Sequence, residues 1–313
     1  MNHATRTYQV DSFSRLGLRI DTHYRHWTGA GGLLLLLVGV MVFSGRLPAG
    51  EPRIELAYKF QPGQRLVMRV EHFAETYTIM AERHERGFSR TITQKVWEVE
   101  EVSGEGNATL VYRIEWVDMA QSVGEGQEVT YDSRKEGTVP ELFQAIAATV
   151  DTPLARVTID RHGRVLERDK QFNSENLGMG EFTVPLPDKP VAVGDSWDVH
   201  REVRVKLDDG SYKRIKIREH YTLEKVAHGI ATISVDSHPL TPVRSPAVES
   251  QLMQQLSQGT IKFDIDRGQV LSKLLEWDEE VVSFRGPNTS LRYDAKFVEE
   301  LQPQTLRSAS RSR

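Results

Sequence analysis

Apolar and polar residues alternate along most of the chain from residue 54 onward, and this period of two constrains the fold more than any other feature. In the clearest run, 197–207, Trp197, Val199 and Val203 share one face while charged residues occupy the other. Successive side chains of a β-strand point to opposite faces, so each such run predicts a half-buried strand. One apolar and one polar face per strand is typical of antiparallel sheets.

The same pattern predicts strands in eight more segments: 65–72, 91–102, 110–116, 215–223, 231–237, 260–265, 270–277 and 290–298. The Asp-Asp-Gly-Ser run at 208–211 suits a hairpin turn. Helical periodicity is confined to 139–150 and 248–256. The chain is therefore predicted to be mainly β, with two short helices.

Blocks of similar sequence recur in the same order in two halves of the chain. The matched pairs are 62–66 with 193–197, 98–102 with 222–226, 107–111 with 230–234, and 157–166 with 263–271. Similar composition alone is weak evidence for a repeat, because β-hairpins in general contain Asp, Gly and β-branched residues. The evidence for a repeat is that the four blocks occur in the same order in both halves. It predicts an internally duplicated antiparallel β domain, with a first β repeat at 54–172 and a second at 181–300. One sheet system and two small sheets both remain open.

The Gly-Asp-Ser-Trp opener at 194–197 and the Gly-Thr-Ile-Lys-Phe-Asp hairpin at 259–264 carry a resemblance. They resemble a group of exported bacterial proteins of unknown function and, less closely, the lipoprotein-carrier (LolA-like) proteins. That resemblance covers 54–300 and implies curved sheets or a half-barrel around an apolar cavity that binds lipid. It brings no catalytic residues with it.

A segment without Lys, Arg, Asp or Glu spans 26–45, centred on the apolar run 33–43. This length matches a bilayer core and predicts a transmembrane helix or signal anchor at 27–45; a cleaved signal peptide is the alternative. Four Arg precede the segment, so residues 1–26 are expected in the cytoplasm and the main domain outside a bacterial inner membrane. Cleavage would make the domain periplasmic or secreted.

Charge is distributed unevenly along the chain. Residues 1–50 carry a net charge of +3 and 303–313 another +3, which leaves −10 on 51–302. An acidic domain repels phosphate backbones, so no nucleic-acid partner is expected. The basic, Ser-rich tail at 302–313 is predicted to be disordered. The absence of Cys excludes disulfides, thiolate nucleophiles and Cys-ligated metals.

No motif predicts a catalytic, cofactor or metal site. The Gly-Glu-Gly fragments at 104–106 and 124–126 lack a following helix, and the ten His show no metal-ligand spacing. Four tryptophans are candidates to line an apolar cavity: Trp97, Trp116, Trp197 and Trp277. The first hypothesis is a non-enzymatic, membrane-tethered domain that binds a lipid or other apolar ligand. An envelope interaction domain without a pocket and an unrecognised envelope hydrolase are the alternatives, and no protein partner is indicated.

Overall fold

The computed structural model describes residues 52–124, 126–169, 171, 183–207 and 209–303. The predicted anchor at 27–45, the cytoplasmic segment 1–26 and all but the start of the 302–313 tail lie outside these residues. None of the helices in the described ranges has the length and apolar character needed to cross a bilayer.

Twelve strands form one antiparallel sheet in the described part of the chain. They are β1 (Arg65–Met80), β2 (Arg83–Val102), β3 (Ala108–Val123), β4 (Val129–Asp132), β5 (Pro153–Ile159), β6 (Val165–Arg168), β7 (Ser196–Lys206), β8 (Tyr212–Ala227), β9 (Ile230–Pro239), β10 (Gln258–Asp264), β11 (Gln269–Val282) and β12 (Thr289–Leu301). Two short helices, α1 (Gln144–Ala147) and α2 (Pro246–Leu252), adjoin 3₁₀ turns at Glu141–Phe143 and Met253–Gln255. The predictions of a mainly β, antiparallel fold and of two short helices are confirmed.

The sheet order is β6-β5-β3-β2-β1-β12-β11-β10-β9-β8-β7, with β4 paired to β3. Two parts of this order are alike, because β6-β5-β3-β2-β1 and β11-β10-β9-β8-β7 follow the same sequence of connections. Strand β12 lies between them and pairs with both β1 and β11. A single sheet therefore accommodates both halves, instead of two small sheets.

Local irregularities also match between the halves. The β2–β3 register shifts between Val99 and Glu101, and the β8–β9 register shifts between Leu223 and Lys225. The amide of Gly63 donates to the carbonyl of Val99 at 2.8 Å, as that of Gly194 does to Leu223. A bulge is a specific local arrangement of the backbone. Its recurrence at matched positions is therefore stronger evidence for similarity between the two halves than shared strand composition.

One matched block is displaced by two residues from the sequence comparison. That comparison aligned Val157 with Phe263, whereas the register places Ile159 opposite Ala108 and Phe263 opposite the matched Ala231. The shared Ile-Asp-Arg residues caused the slip, because they begin at the last residue of β5 in the first hairpin, whereas all three lie in the turn of the second.

The sheet is strongly rolled. The β5–β6 and β10–β11 turns lie six strand positions apart, which is about 29 Å in a flat sheet. Yet consecutive amides reach both turns: Tyr58 N donates to Arg161 O at 2.8 Å, and Lys59 N to Gly268 O at 3.1 Å. Consecutive Cα atoms are about 3.8 Å apart, so the sheet must bend back to bring these turns together.

The core lies on the inner face of this rolled sheet. Inner residues of β2, β3 and β5 form one cluster, and those of β8, β9 and β10 form another with residues from 54–60 and 184–191. Helix α2 packs Val248 and Leu252 against Val205, Ile215 and Ile217 of β7 and β8. Burying one face of each strand explains the period of two in the sequence.

Candidate ligand-binding site

An apolar cavity lies on the inner face, where the two halves of the sheet meet. Ten of its fourteen lining residues are apolar. They come from six strands and two crossing segments: Tyr58, Phe60, Leu66, Met68, Trp97, Leu110, Val157, Val184, Val270 and Leu301. Thr183, Gln269, Lys273 and Glu299 supply the polar part. Mostly apolar walls with a few polar groups are typical of small-molecule sites.

The cavity is narrow but communicates with solvent. Its volume is about 60 Å³, and it is open to solvent on one side. An apolar cavity of about 150 Å³ holds one benzene molecule, so a long chain needs lining side chains to move.

Two segments, 54–60 and 183–191, cross the inner face together, and we call them the plug. They pair through Ile54 and Val191, whose backbone hydrogen bonds measure 2.7 and 2.9 Å. The buried Tyr58 hydroxyl donates to Val184 O at 3.1 Å and accepts from Val184 N at 3.0 Å. Burial raises the pKa of Tyr58, which keeps the hydroxyl protonated and able to donate. Hydrogen bonds thus link the two segments of the plug to each other, as others link the plug to the hairpin turns of the sheet.

Two glycines let the plug approach the hairpin turns. Gly163 has φ +82°, and a Cβ there would lie 2.8 Å from the Tyr58 ring and 2.9 Å from Val184 O. Gly268 has φ +61°, and its Cβ would lie 2.5 Å from Lys59 N. Both positions therefore need glycine for its conformation and for its small size.

Two charged side chains that are largely shielded from solvent, Lys273 and Glu299, line the cavity, and Lys95 contacts Glu299. We call Lys95, Lys273 and Glu299 the lysine cluster. Glu299 lies between the two lysines, with its Oε1 3.5 Å from Lys95 Nζ and its Oε2 3.3 Å from Lys273 Nζ. The three side chains are 12–15% exposed. Both ammonium groups also lie over the Phe297 ring, at 5.4 and 5.3 Å from its centre.

Burial and mutual attraction oppose each other in this cluster. Burial raises the pKa of Glu299, but the two ammonium groups outweigh it and hold that pKa below its ordinary value. Burial lowers the pKa of Lys95, and Glu299 offsets this in part. Glu299 is consequently an anion in the folded protein.

The structure separates the four candidate tryptophans. Trp97 lines the cavity and packs on Tyr112, with ring centres 4.8 Å apart. Trp116 lies under the Arg134 guanidinium at 4.1 Å. The two remaining rings are Trp197, whose Nε1 donates to Pro185 O at 2.9 Å, and Trp277, which packs edge-on against His72 and Tyr293. The cavity thus contains one of the four.

Sequence reasoning missed the lysine cluster, although a signal was present. Lys95, Lys273 and Glu299 each occupy a position where the alternation calls for an apolar residue. Trp97 and Val99 follow Lys95 at the same parity, for example, and both are buried. A charge on an apolar face is rarely left unpaired, so these positions could have been identified as a site.

The histidines that the structure describes form no metal site. Within the described residues, no three His, Asp or Glu side chains are arranged to hold a metal ion. His220 contacts Asp198 at 2.6 Å and His238 contacts Asp236 at 2.8 Å, both on the exposed face. These pairs lie away from the cavity.

Part of the chain matches a family model, and most of it is similar to a solved structure. The model of the Family of unknown function (DUF6263) matches residues 168–270. No curated protein matches the chain. A solved structure described as "Lipid-protein interactions in lipovitellin" is 14% identical, with a TM-score of 0.38 over 81% of this chain. The chain spans 27% of the length of that structure.

Proposed function

We propose that the β domain binds an apolar ligand, such as an acyl chain, in the cavity under the plug. The observation that carries this proposal is the cavity itself: an apolar space that opens to solvent and ends at buried charges. A core that served stability alone would gain by filling that space, because close packing is the norm in protein interiors.

A chain longer than a few carbon atoms enters by displacing part of the plug. Phe60 is the side chain most ready to move, since it is half-buried and stacks on Tyr58 with ring centres 5.3 Å apart. The remaining plug contacts, through Ile54 and Val191, lie away from the cavity and can persist. The plug then acts as a cover for the bound chain.

We further propose that residues 27–45 hold this domain at a bacterial inner membrane, with the domain exported. Export without cleavage would place the plug within a few residues of the bilayer. Protease accessibility of the full chain in spheroplasts tests this topology, and a β domain protected inside the cell would overturn it.

The duplication into repeats 54–172 and 181–300 is likewise a proposal. The matched strand orders and the bulges after Val99 and Leu223 support it. In this view the cavity lies where the two repeats meet around β12.

Ligand binding is tested with two tryptophan substitutions of equal size. Val270 and Val226 are both half-buried and pack on the same core cluster, but Val270 lines the cavity and Val226 does not. Decan-1-ol is titrated calorimetrically into the full chain and into Val270→Trp and Val226→Trp. We expect Val270→Trp to abolish binding and Val226→Trp to retain it.

Native mass spectrometry of the extracted protein provides a second measurement. An adduct of acyl size that is absent from Val270→Trp supports the proposal. Failure of the unmodified chain to bind decan-1-ol, together with a clean apoprotein mass, would overturn it and favour the interaction-domain alternative.

A further inference from the structure

The lysine cluster carries one more positive charge than negative. Two ammonium groups share a single carboxylate, and the described residues place no other carboxylate within 4.0 Å of Lys95 or Lys273. The side chains are largely removed from water. An uncompensated charge in that position is costly, because neither solvent nor a partner neutralises it.

The ammonium groups also keep unused hydrogen-bonding capacity. Each has three donors, and Glu299 takes one from each lysine at 3.3–3.5 Å. The Phe297 face attracts both cations but accepts no proton from them.

This excess charge faces the space that the proposed ligand occupies. Lys273 and Glu299 line the cavity together with apolar residues such as Leu110 and Val157. A ligand in the cavity can therefore contact an ammonium group as well as hydrocarbon side chains. Burial lowers the pKa of Lys95, and repulsion from Lys273 acts in the same direction, as expected for a cluster with an excess of positive charge.

We propose that the ligand is an amphiphile with a singly charged acidic head group, which binds Lys273 while its apolar chain lies along Leu110 and Val157. One negative charge balances the cluster, whereas a neutral head leaves the excess and a doubly charged head overcompensates it. This inference rests on the proposed function and names the ligand class of the same site.

Three ligands with the same chain length test the head group: decanoate, decan-1-ol and decanoyl lysophosphatidylglycerol. Each is titrated calorimetrically into the full chain, which is held in an amphipathic polymer so that no free detergent competes for the cavity. A charged hydrogen bond predicts that decanoate binds at least about tenfold more tightly than decan-1-ol. If the lysophospholipid binds more tightly still, the acidic head is a phosphodiester; if it does not, the head is a carboxylate.

Lys273→Met tests the assigned contact, with Lys262→Met as the matched control on the exposed face of β10. Lys273→Met leaves Lys95 and Glu299 as a neutral pair. We expect it to abolish the preference for decanoate over decan-1-ol, while Lys262→Met retains both the preference and the decan-1-ol affinity.

Equal affinity of the unmodified chain for decanoate and decan-1-ol would overturn the inference and leave apolar binding intact. This comparison needs no variant, so it decides the matter even if Lys273→Met does not fold. Persistence of the preference in a folded Lys273→Met protein would also overturn it. Binding of none of the three ligands would refute the proposed function instead.

Discussion

Replacing Gly163 by alanine tests whether the plug is held against the β5–β6 turn. The substitution adds one methyl group at φ +82°, 2.8 Å from the Tyr58 ring and 2.9 Å from Val184 O. The second contact matters more, because Val184 O belongs to the backbone and accepts the Tyr58 hydroxyl. A ring can turn aside, but that carbonyl cannot move without breaking the bond.

The expected loss has two parts. A positive φ costs a non-glycine residue about 1 kcal/mol or slightly more. Overpacking a well-filled contact adds about 2 kcal/mol, so Gly163→Ala should lose about 3 kcal/mol of unfolding free energy. Gly106→Ala is the matched control, because Gly106 has φ +85° and a Cβ there meets nothing within 4 Å. It should lose about 1 kcal/mol.

Urea denaturation of the two variants measures this difference. Unchanged m-values would show that a shift in the urea midpoint reflects a change in stability. The thermal midpoint should fall by about 6–12 °C in Gly163→Ala and by about 2–4 °C in Gly106→Ala. Losses within about 0.5 kcal/mol of each other would refute the reasoning, since conformational strain alone would then account for both.

Three further outcomes follow from the site. Tyr58→Phe should lower the unfolding free energy measured in urea by about 1–3 kcal/mol, because it leaves the buried amide and carbonyl of Val184 without the Tyr58 hydroxyl. Tyr212→Phe, at an exposed ring, should lower it by almost nothing. Equal losses in the two variants would contradict the plug contact. In the folded protein the pKa of Glu299 lies below its ordinary value of 4.5. The ionised Glu299 therefore stabilises the folded state above pH 4.5, and this stabilisation is lost as the pH falls through the folded-state pKa. Unfolding free energy measured from pH 3 to 7 should therefore rise with pH less steeply in Glu299→Gln, and identical slopes would exclude this role. Trp97→Leu should weaken decan-1-ol binding in calorimetry, while Trp116→Leu should leave it unchanged. The reverse result would show that the ligand binds near Trp116 and not in this cavity.

Strand positions were predictable from the sequence because they depend on a local pattern. Strand β7 was expected at 197–207 and occupies Ser196–Lys206. Strand β1 was expected to end at residue 72 but continues to Met80. Its second half carries Phe73 and Tyr77 on the exposed face, so the difference in polarity between the two faces, which identifies a strand in the sequence, is small there. Strand β4 has four residues, too few to show a period.

The site was less predictable because it depends on contacts between distant parts of the chain. Trp97 was identified as a candidate, but nothing local distinguishes it from Trp116. Lys95 meets Glu299 only because β12 inserts next to β1, and no local pattern encodes that pairing. The plug carries little periodicity, since it lies across the sheet instead of within it.

The position of β12 has a consequence for biogenesis. The last strand lies at the centre of the sheet, where Met68 of β1 faces Leu301. During synthesis β1 emerges long before β12, so the edge of β1 stays open until β12 has been synthesised. Pairing between such distant segments is slow, and an open edge invites intermolecular association. We therefore expect folding of the nascent chain to depend on chaperones. Loss of β12 by premature termination would leave two half-sheets that no strand joins.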